Sequence, residues 1–414
     1  MTGQVPGPPW PPEEKPERIR DEDEALRTLD ALLPGLAEGA GQRDADRTLP
    51  HAQIDRLSRA GLYALTVPAA LGGADVGVPT LTEVFRRLSA ADPNLGQIPH
   101  SHYVFLEALR LRGTPEQQRR FFGEVLEGAR YANAQTERGG RTITDDVTVL
   151  APDPTRPGRY RLTGEKFYAT GSLFAHRLLV RAVLPAPRPD GSADKAIAFV
   201  PADAPGVSVQ DDWDAMGQRT TGSGTVRLHD VAVPAEDVVP FTSIFDSPTV
   251  YGAFAQVLHA AIDAGIARAA LDAAVLAVAG ARPWFEAGGQ KASDDPLLVQ
   301  TAGEAEITVR AAEALLREAA VLVGIAREAP GPDTTEQASI STAVAKVAAG
   351  RAAVEASSVL FELAGTRSAQ RSGNLSRFWR DARTHTLHDP ARWKVQHIGR
   401  HLLDGVAPPR HGQI

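Results

Sequence analysis

The stretch Arg380-Asp381-Ala382-Arg383-Thr384-His385-Thr386-Leu387-His388-Asp389-Pro390 places two histidines three residues apart, each within reach of a carboxylate. If the segment is helical, His385 and His388 share a face, because residues three apart are neighbours on a helix surface. Asp381 and Asp389 each stand four residues from His385 and are placed to orient its ring. Pro390 then fixes the backbone where a further helix starts, since proline's missing N–H costs nothing in a first turn. Histidine titrates near neutral pH, so such a segment suits proton transfer or hydrogen-bond donation. A histidine without such company is more often structural, and His229, His259, His397 and His401 are read that way.

Upstream, the texture divides the chain. From about 248 onward it is helical and Ala-rich, with segments near 250–280, 294–327 and 335–364 and a last helix after Pro390, as a four-helix bundle requires. Each of the three long segments spans roughly 45 Å at 1.5 Å per residue. Between about 130 and 240, β-prone runs such as Ala196-Ile-Ala-Phe-Val and Gly224-Thr-Val-Arg-Leu-His-Asp-Val alternate with Pro/Gly/Asp turns, as in a small barrel or sandwich. Pro189-Asp190-Gly191-Ser192 reads as a hairpin loop. From about 24 to 128 the period is helical again: Leu26, Leu29, Leu32 and Leu33 share a face, Ile54 and Leu57 repeat it, Thr80 with Glu83 has capping-box spacing, and Thr114-Pro115 opens another helix. The expected division is a flexible Pro-rich tail at 1–22, a helical unit at 23–128, a β unit at 129–243 and a helical bundle at 244–414, an α+β chain.

At 414 residues several packed units are expected. The net charge of −7 gives no basic surface for nucleic acid. The absence of cysteine removes disulfides, thiolate nucleophiles and Cys-ligated metals together. No apolar run is long enough to span a membrane, and the Pro-rich start is not a signal peptide, so a cytoplasmic location is expected. There is neither a Gly-x-Gly-x-x-Gly nor a Walker loop. The scattered histidines give no metal-ligand spacing.

Further segments fall into line with the first: Asp92-Pro93-Asn94-Leu95-Gly96 leading into Pro99-His100-Ser101-His102, Tyr131-Ala-Asn133-Ala-Gln-Thr136-Glu137, Tyr168-Ala169-Thr170-Gly171, Asp212-Trp213 through Gly217, then Ser223-Gly224, and Ala281-Arg282-Pro283-Trp284. In this order and spacing the chain resembles the acyl-CoA dehydrogenase superfamily, and within it the flavin-dependent monooxygenase branch of dibenzothiophene monooxygenases and sulfur-acquisition oxidoreductases. The resemblance covers nearly the whole chain beyond the tail. In the dehydrogenases the catalytic base is the Glu of Tyr-Glu-Gly-Thr. Here that segment is His388-Asp389-Pro390-Ala391.

The resemblance implies a flavin site. Asn133, Thr136 and Thr170 would bond the ring's pyrimidine edge, with Tyr168 and Trp213 as its wall, although alone these would read as strand and core residues. The Gly-Gly-x-Gly loop that grips FAD in the family is Ala364-Gly365-Thr366-Arg367-Ser368 here. Arg367, Arg371 and Arg282, beside Trp284, suit the terminal phosphate of FMN, because a guanidinium forks onto phosphate. As solvated surface charges they would do nothing. FMN is therefore favoured over FAD, supplied reduced by a separate flavin reductase. His102, His385, His388 and Asp389 are the implied catalytic residues, supporting oxygenation through a C4a-(hydro)peroxyflavin. Sulfur is the favoured atom of attack, with nitrogen or aromatic carbon as alternatives, and the assembly expected is a homotetramer. Two rivals stand beside this: an acyl-CoA dehydrogenase with Asp389 as base, and a flavin-free binding scaffold.

Overall fold

The computed structural model describes residues 7–12, 14–139, 142 and 145–414. Among these described residues seven α-helices come first: α1 (Glu22–Ala37), α2 (Ala40–Asp46), α3 (His51–Arg59), α4 (Val78–Ala91), α5 (Pro93–Gln97), α6 (His100–Arg112) and α7 (Pro115–Leu126). Helix α7 starts as its sequence dictates: Thr114 caps the N–H of Gln117, and Gln117 reaches back to Thr114. Thr80 does not cap α4. It lies inside the first turn, and its hydroxyl donates to Glu22 at 2.9 Å.

Residues 14–21, expected as flexible tail, are laid along this unit. The Glu17 amide donates to Arg59 O (2.7 Å), and Lys15 and Arg18 both pair with Glu127. The segment is too polar to form a core of its own, but it borrows a surface already built. Residues 1–6 and 13 lie outside the described residues.

Among the described residues eight strands follow, β1 (Tyr131–Ala134), β2 (Val149–Pro152), β3 (Arg159–Lys166), β4 (Arg177–Val183), β5 (Lys195–Pro201), β6 (Val207–Val209), β7 (Val226–Pro234) and β8 (Val238–Pro240). They form one mixed sheet in the order β6-β7-β3-β2-β4-β5-β8, with β1 added parallel to β4. β4 and β5 make an antiparallel hairpin across the Pro189–Ser192 loop.

The remaining helices are α8 (Tyr251–Ala279), α9 (Pro296–Glu328), α10 (Pro332–Ala364), α11 (Ser376–His385) and α12 (Ala391–Asp404). Helix α8 is apolar on all sides through most of its length and is buried accordingly, packed between α10, α9 and α4. Gly265 permits the α4 crossing: a Cβ there would stand 2.4 Å from Arg86 O. The last helix is shorter than its three partners, at 14 residues. Among the described residues no helix is long and apolar enough to cross a membrane.

Candidate functional site

Asn133 lies on β1 opposite Leu179 of β4. Its Nδ2 donates to Tyr168 O at 3.0 Å, while its Oδ1 is buried with no partner. Tyr168 sits at φ 56°, a left-handed conformation that costs a bulky residue energy unless its surroundings impose it. Here its carbonyl accepts from both Asn133 and the Thr170 amide, which fixes it. The ring is left half exposed, edge-on to Trp213 at 5.8 Å. Trp213 is itself tied down, with Nε1 donating to Gln218 O (2.8 Å) and its carbonyl accepting from Arg47 (3.0 Å).

A hydroxyl chain lies beside this loop. Thr221 Oγ1 donates to Gln218 O (3.0 Å), so Ser223 must donate to Thr221 (2.7 Å) and Thr170 to Ser223 (2.8 Å). Thr170 therefore spends its proton inward and keeps lone pairs for a ligand. The side chain of Thr136 has no part in this chain; its carbonyl accepts from Phe167 N. Asn133 Oδ1 and Thr170 Oγ1 are two acceptors suited to the N–H of a flavin's pyrimidine edge, with Tyr168 and Trp213 as aromatic surface. These residues fit the ring.

The histidine region is joined to that loop. The Gln218 amide donates to Asp381 Oδ1 on α11 at 2.6 Å, and the Gly171 turn lies against Ile98 O, two residues before His100. Helix α11 ends at His385, so His388 is not on the same helix face. Nor is His385 oriented by Asp381 or Asp389. Its Nδ1 faces Asp263 of α8 at 2.5 Å, and its Nε2 faces His259 Nδ1 at 3.0 Å. Asp263 also accepts from Lys346 of α10 at 2.7 Å. His259 stacks on His100 with ring centres 3.8 Å apart and touches the His388 ring at 4.1 Å. His100 Nε2 donates to Ala255 O (2.9 Å).

Burial pushes the His100 imidazole down to about 3 and His259 well below its ordinary value, the neighbouring rings adding to the effect. Burial also lowers His385, against the pull of Asp263. Burial would raise Asp263, but His385 and Lys346 hold it below its usual range. Asp389 is almost fully buried between Lys394 and His388 (3.3 Å). Burial raises it too, yet the hydrogen bond from His388 and the charges of Lys346 and Lys394 keep it well below the carboxylate range. Of these rings, His388 alone is substantially exposed.

His102 is elsewhere. Its Nε2 donates to Tyr63 O (2.8 Å) and its Nδ1 accepts from the Tyr131 amide (3.1 Å), so both nitrogens are spent on backbone. In the Pro99-His100-Ser101-His102 segment it is His100 that joins the cluster. His259, Asp263, Lys346 and Lys394 were also missed. The available signal was His259 and Asp263, four apart within the largely apolar stretch of α8.

Arg282 and Trp284 are exposed just past the C-terminal end of α8, and Arg367 and Arg371, past α10, are exposed too, with Arg367 donating to Ala277 O of α8 at 3.5 Å. Trp284 Nε1 is bonded to Glu286 (2.7 Å). No hydrogen bond or ring contact among the described residues joins these four to Asn133 or Thr170. Among the described residues no group of three or more His, Asp or Glu is placed to hold a metal.

Helices, then a mixed sheet with a polar-edged aromatic loop, then a bundle carrying the histidines define a class. Sequence models of the acyl-CoA dehydrogenase N-terminal, middle and C-terminal domains match residues 30–129, 132–231 and 257–393, and the chain belongs to the acyl-CoA dehydrogenase family. Within it, the chain is similar to dibenzothiophene monooxygenase of Rhodococcus qingshengii, at 32% identity over 95% of this chain and 97% of the relative. It is 26% identical to a probable FMNH2-dependent monooxygenase, SfnC of Pseudomonas putida, over 93% of this chain and 96% of the relative. The FMN-bound crystal structure of TdsC from Paenibacillus sp. A11-2 superposes with a TM-score of 0.88 at 32% identity, covering 94% of this chain and all of that one (100%).

Proposed function

We propose that this chain is a two-component flavin-dependent monooxygenase that takes reduced FMN from a separate reductase, with O2, and oxygenates a small apolar substrate. Sulfur is the favoured atom, nitrogen and aromatic carbon the alternatives. The observation that carries the reading is the state of Asp389. A dehydrogenase base must be a free carboxylate aimed at substrate, whereas Asp389 is locked to Lys394 and His388. The group exposed there is the His388 imidazole.

Reduced FMN, when bound, supplies the electrons that activate oxygen. Asn133 and Thr170 hold and orient the ring edge, and Tyr168 and Trp213 cover it. His388, its Nδ1 turned to Asp389, offers Nε2 to the reacting oxygen. Arg282, Arg367 and Arg371 take the phosphate of FMN, in a site shared with a neighbouring copy, which accounts for their separation from Asn133 within one chain. The assembly is a cytoplasmic homotetramer, a dimer of dimers. Exposed apolar side chains on α8, α9 and α12, among them Leu276, Ile307, Leu402 and Leu403, supply faces for it.

Aerobic turnover with a flavin reductase, NADH and FMN tests this, with thioethers, thiophenes and amines screened by mass for a gain of one oxygen. His388→Phe should retain FMN while hydrogen peroxide replaces product. A wild-type chain that oxygenates none of them, yet is bleached anaerobically by an acyl-CoA, would establish the dehydrogenase instead.

A further inference from the structure

We propose that His259 is a functional histidine of this site, the outer end of a buried proton path running Lys346–Asp263–His385–His259. The inference rests on the monooxygenase reading for its purpose, though not for its geometry. His259 and Asp263 are fully buried, one turn apart, in a helix that is largely apolar and buried around them. Burying an acid, a base and an ammonium together costs stability that well-packed apolar side chains would not, so the cluster calls for a use beyond packing.

With His385 neutral, as its burial favours, the direction of each bond follows from donor chemistry. Lys346 can only donate, and Asp263 accepts from it at 2.7 Å. The other Asp263 oxygen accepts Nδ1–H of His385 at 2.5 Å, which leaves His385 Nε2 as a lone pair. That lone pair accepts Nδ1–H of His259 at 3.0 Å. His259 Nε2 is left as an acceptor, on a ring packed against His100 and the exposed His388. The groups facing the path are His100 from α6, Lys346 from α10, His388 and Asp389 from the segment after α11, and Lys394 from α12, besides its own members.

The reaction gives the path a task. Reduced FMN as its monoanion, O2, the substrate and one proton yield oxidised FMN, the oxygenated substrate and one water. A proton taken up at His259 Nε2 releases the Nδ1 proton to His385, which becomes an imidazolium held against Asp263. The reverse transfer returns that proton to the site. Lys346 and Asp263 are positioning residues in this scheme, since they act only through His385.

Ring-15N histidine labelling of the intact protein tests the path without turnover. His259→Gln and His385→Gln assign the signals. The expected spectrum has His259 and His385 both protonated at Nδ1 with Nε2 bare, and Asp263→Asn should convert both to mixed tautomers. His259 protonated at Nε2 in the wild type, or tautomers indifferent to Asp263→Asn, overturns the path whether or not the monooxygenase reading stands. In turnover, His259→Gln should keep FMN affinity within about twofold while the share of reduced flavin lost to peroxide rises at least about fivefold. Coupled turnover by that variant beside a coupled wild type also overturns it. A wild type that makes no oxygenated product counts against the function alone, and the spectra then decide the path.

Discussion

The Asn133 side chain donates to the carbonyl of Tyr168 across 3.0 Å, and that bond ties strand β1 to a tyrosine held at φ 56°. One amide therefore does two things: its nitrogen shapes the loop that presents the aromatic surface, and its oxygen is the unpartnered buried acceptor beside it. Asn133→Ala removes both. FMN should bind about 5- to 150-fold more weakly, since a lost hydrogen bond with its partner left buried costs about 1–3 kcal/mol. Quenching of flavin fluorescence on titration measures this, and an unchanged dissociation constant would remove Asn133 from the cofactor site.

The phosphate assignment separates FMN from riboflavin. Arg282→Ala should weaken FMN by roughly 10- to 100-fold, the loss expected for a charge-assisted hydrogen bond of about 1.5–3 kcal/mol. Riboflavin, lacking the phosphate, should be nearly unaffected. Equal losses for the two ligands in parallel calorimetric titrations would withdraw Arg282 from that role.

His102 is predicted to matter for folding and not for turnover. It bridges Tyr63 O and the Tyr131 amide from a fully buried position. His102→Ala leaves both groups unpaired beside a cavity, at a cost of about 3 kcal/mol. The urea midpoint should fall accordingly, while product per folded enzyme and coupling to NADH stay near wild type. A stable but uncoupled variant would restore His102 to the chemistry.

How far the sequence could be read follows from the same histidines. The order helical, β, helical was legible because period and turn residues are local properties. The choice within Pro99-His100-Ser101-His102 was not. Residues two apart on a helix point about 200° apart, at 3.6 residues per turn, so one ring must leave the site. Only the positions of Tyr63 and Tyr131, far off in sequence, decide that His102 is the one. His259 was set aside as structural because a single histidine in an apolar helix ordinarily is. Its partner His385 is 126 residues away. The loop motif around Tyr168 was legible as a motif, but the inward-running hydroxyl chain through Ser223 needed the third dimension.

Stability should fall on the acid side of neutrality. Burial pushes His100 and His176 down to about 3 and His102 down to about 4 in the folded chain, against ordinary values of 6.5. Each must stay neutral when folded, while the unfolded chain protonates it below about 6.5. Their contribution is complete above that pH and erodes as pH falls toward 4, by about 1.4 kcal/mol per group per pH unit. Asp381, pushed up to about 7 by burial, has the opposite slope between about 4 and 7. Three groups outweigh one. The urea midpoint should therefore drop between pH 6.5 and 4.5, and a midpoint that holds or rises would contradict the buried neutral histidines.

The central claim is oxygen transfer from O2, and isotope labelling tests it most directly. The purified chain, a flavin reductase, NADH and FMN are incubated under 18O2 with a turned-over thioether or thiophene. The account predicts product heavier by one 18O atom, with the second oxygen atom appearing as water and the label absent when H2(18)O replaces 18O2. Product carrying oxygen from water, or flavin reduced by an acyl-CoA under nitrogen with that activity lost in Asp389→Asn, would contradict it.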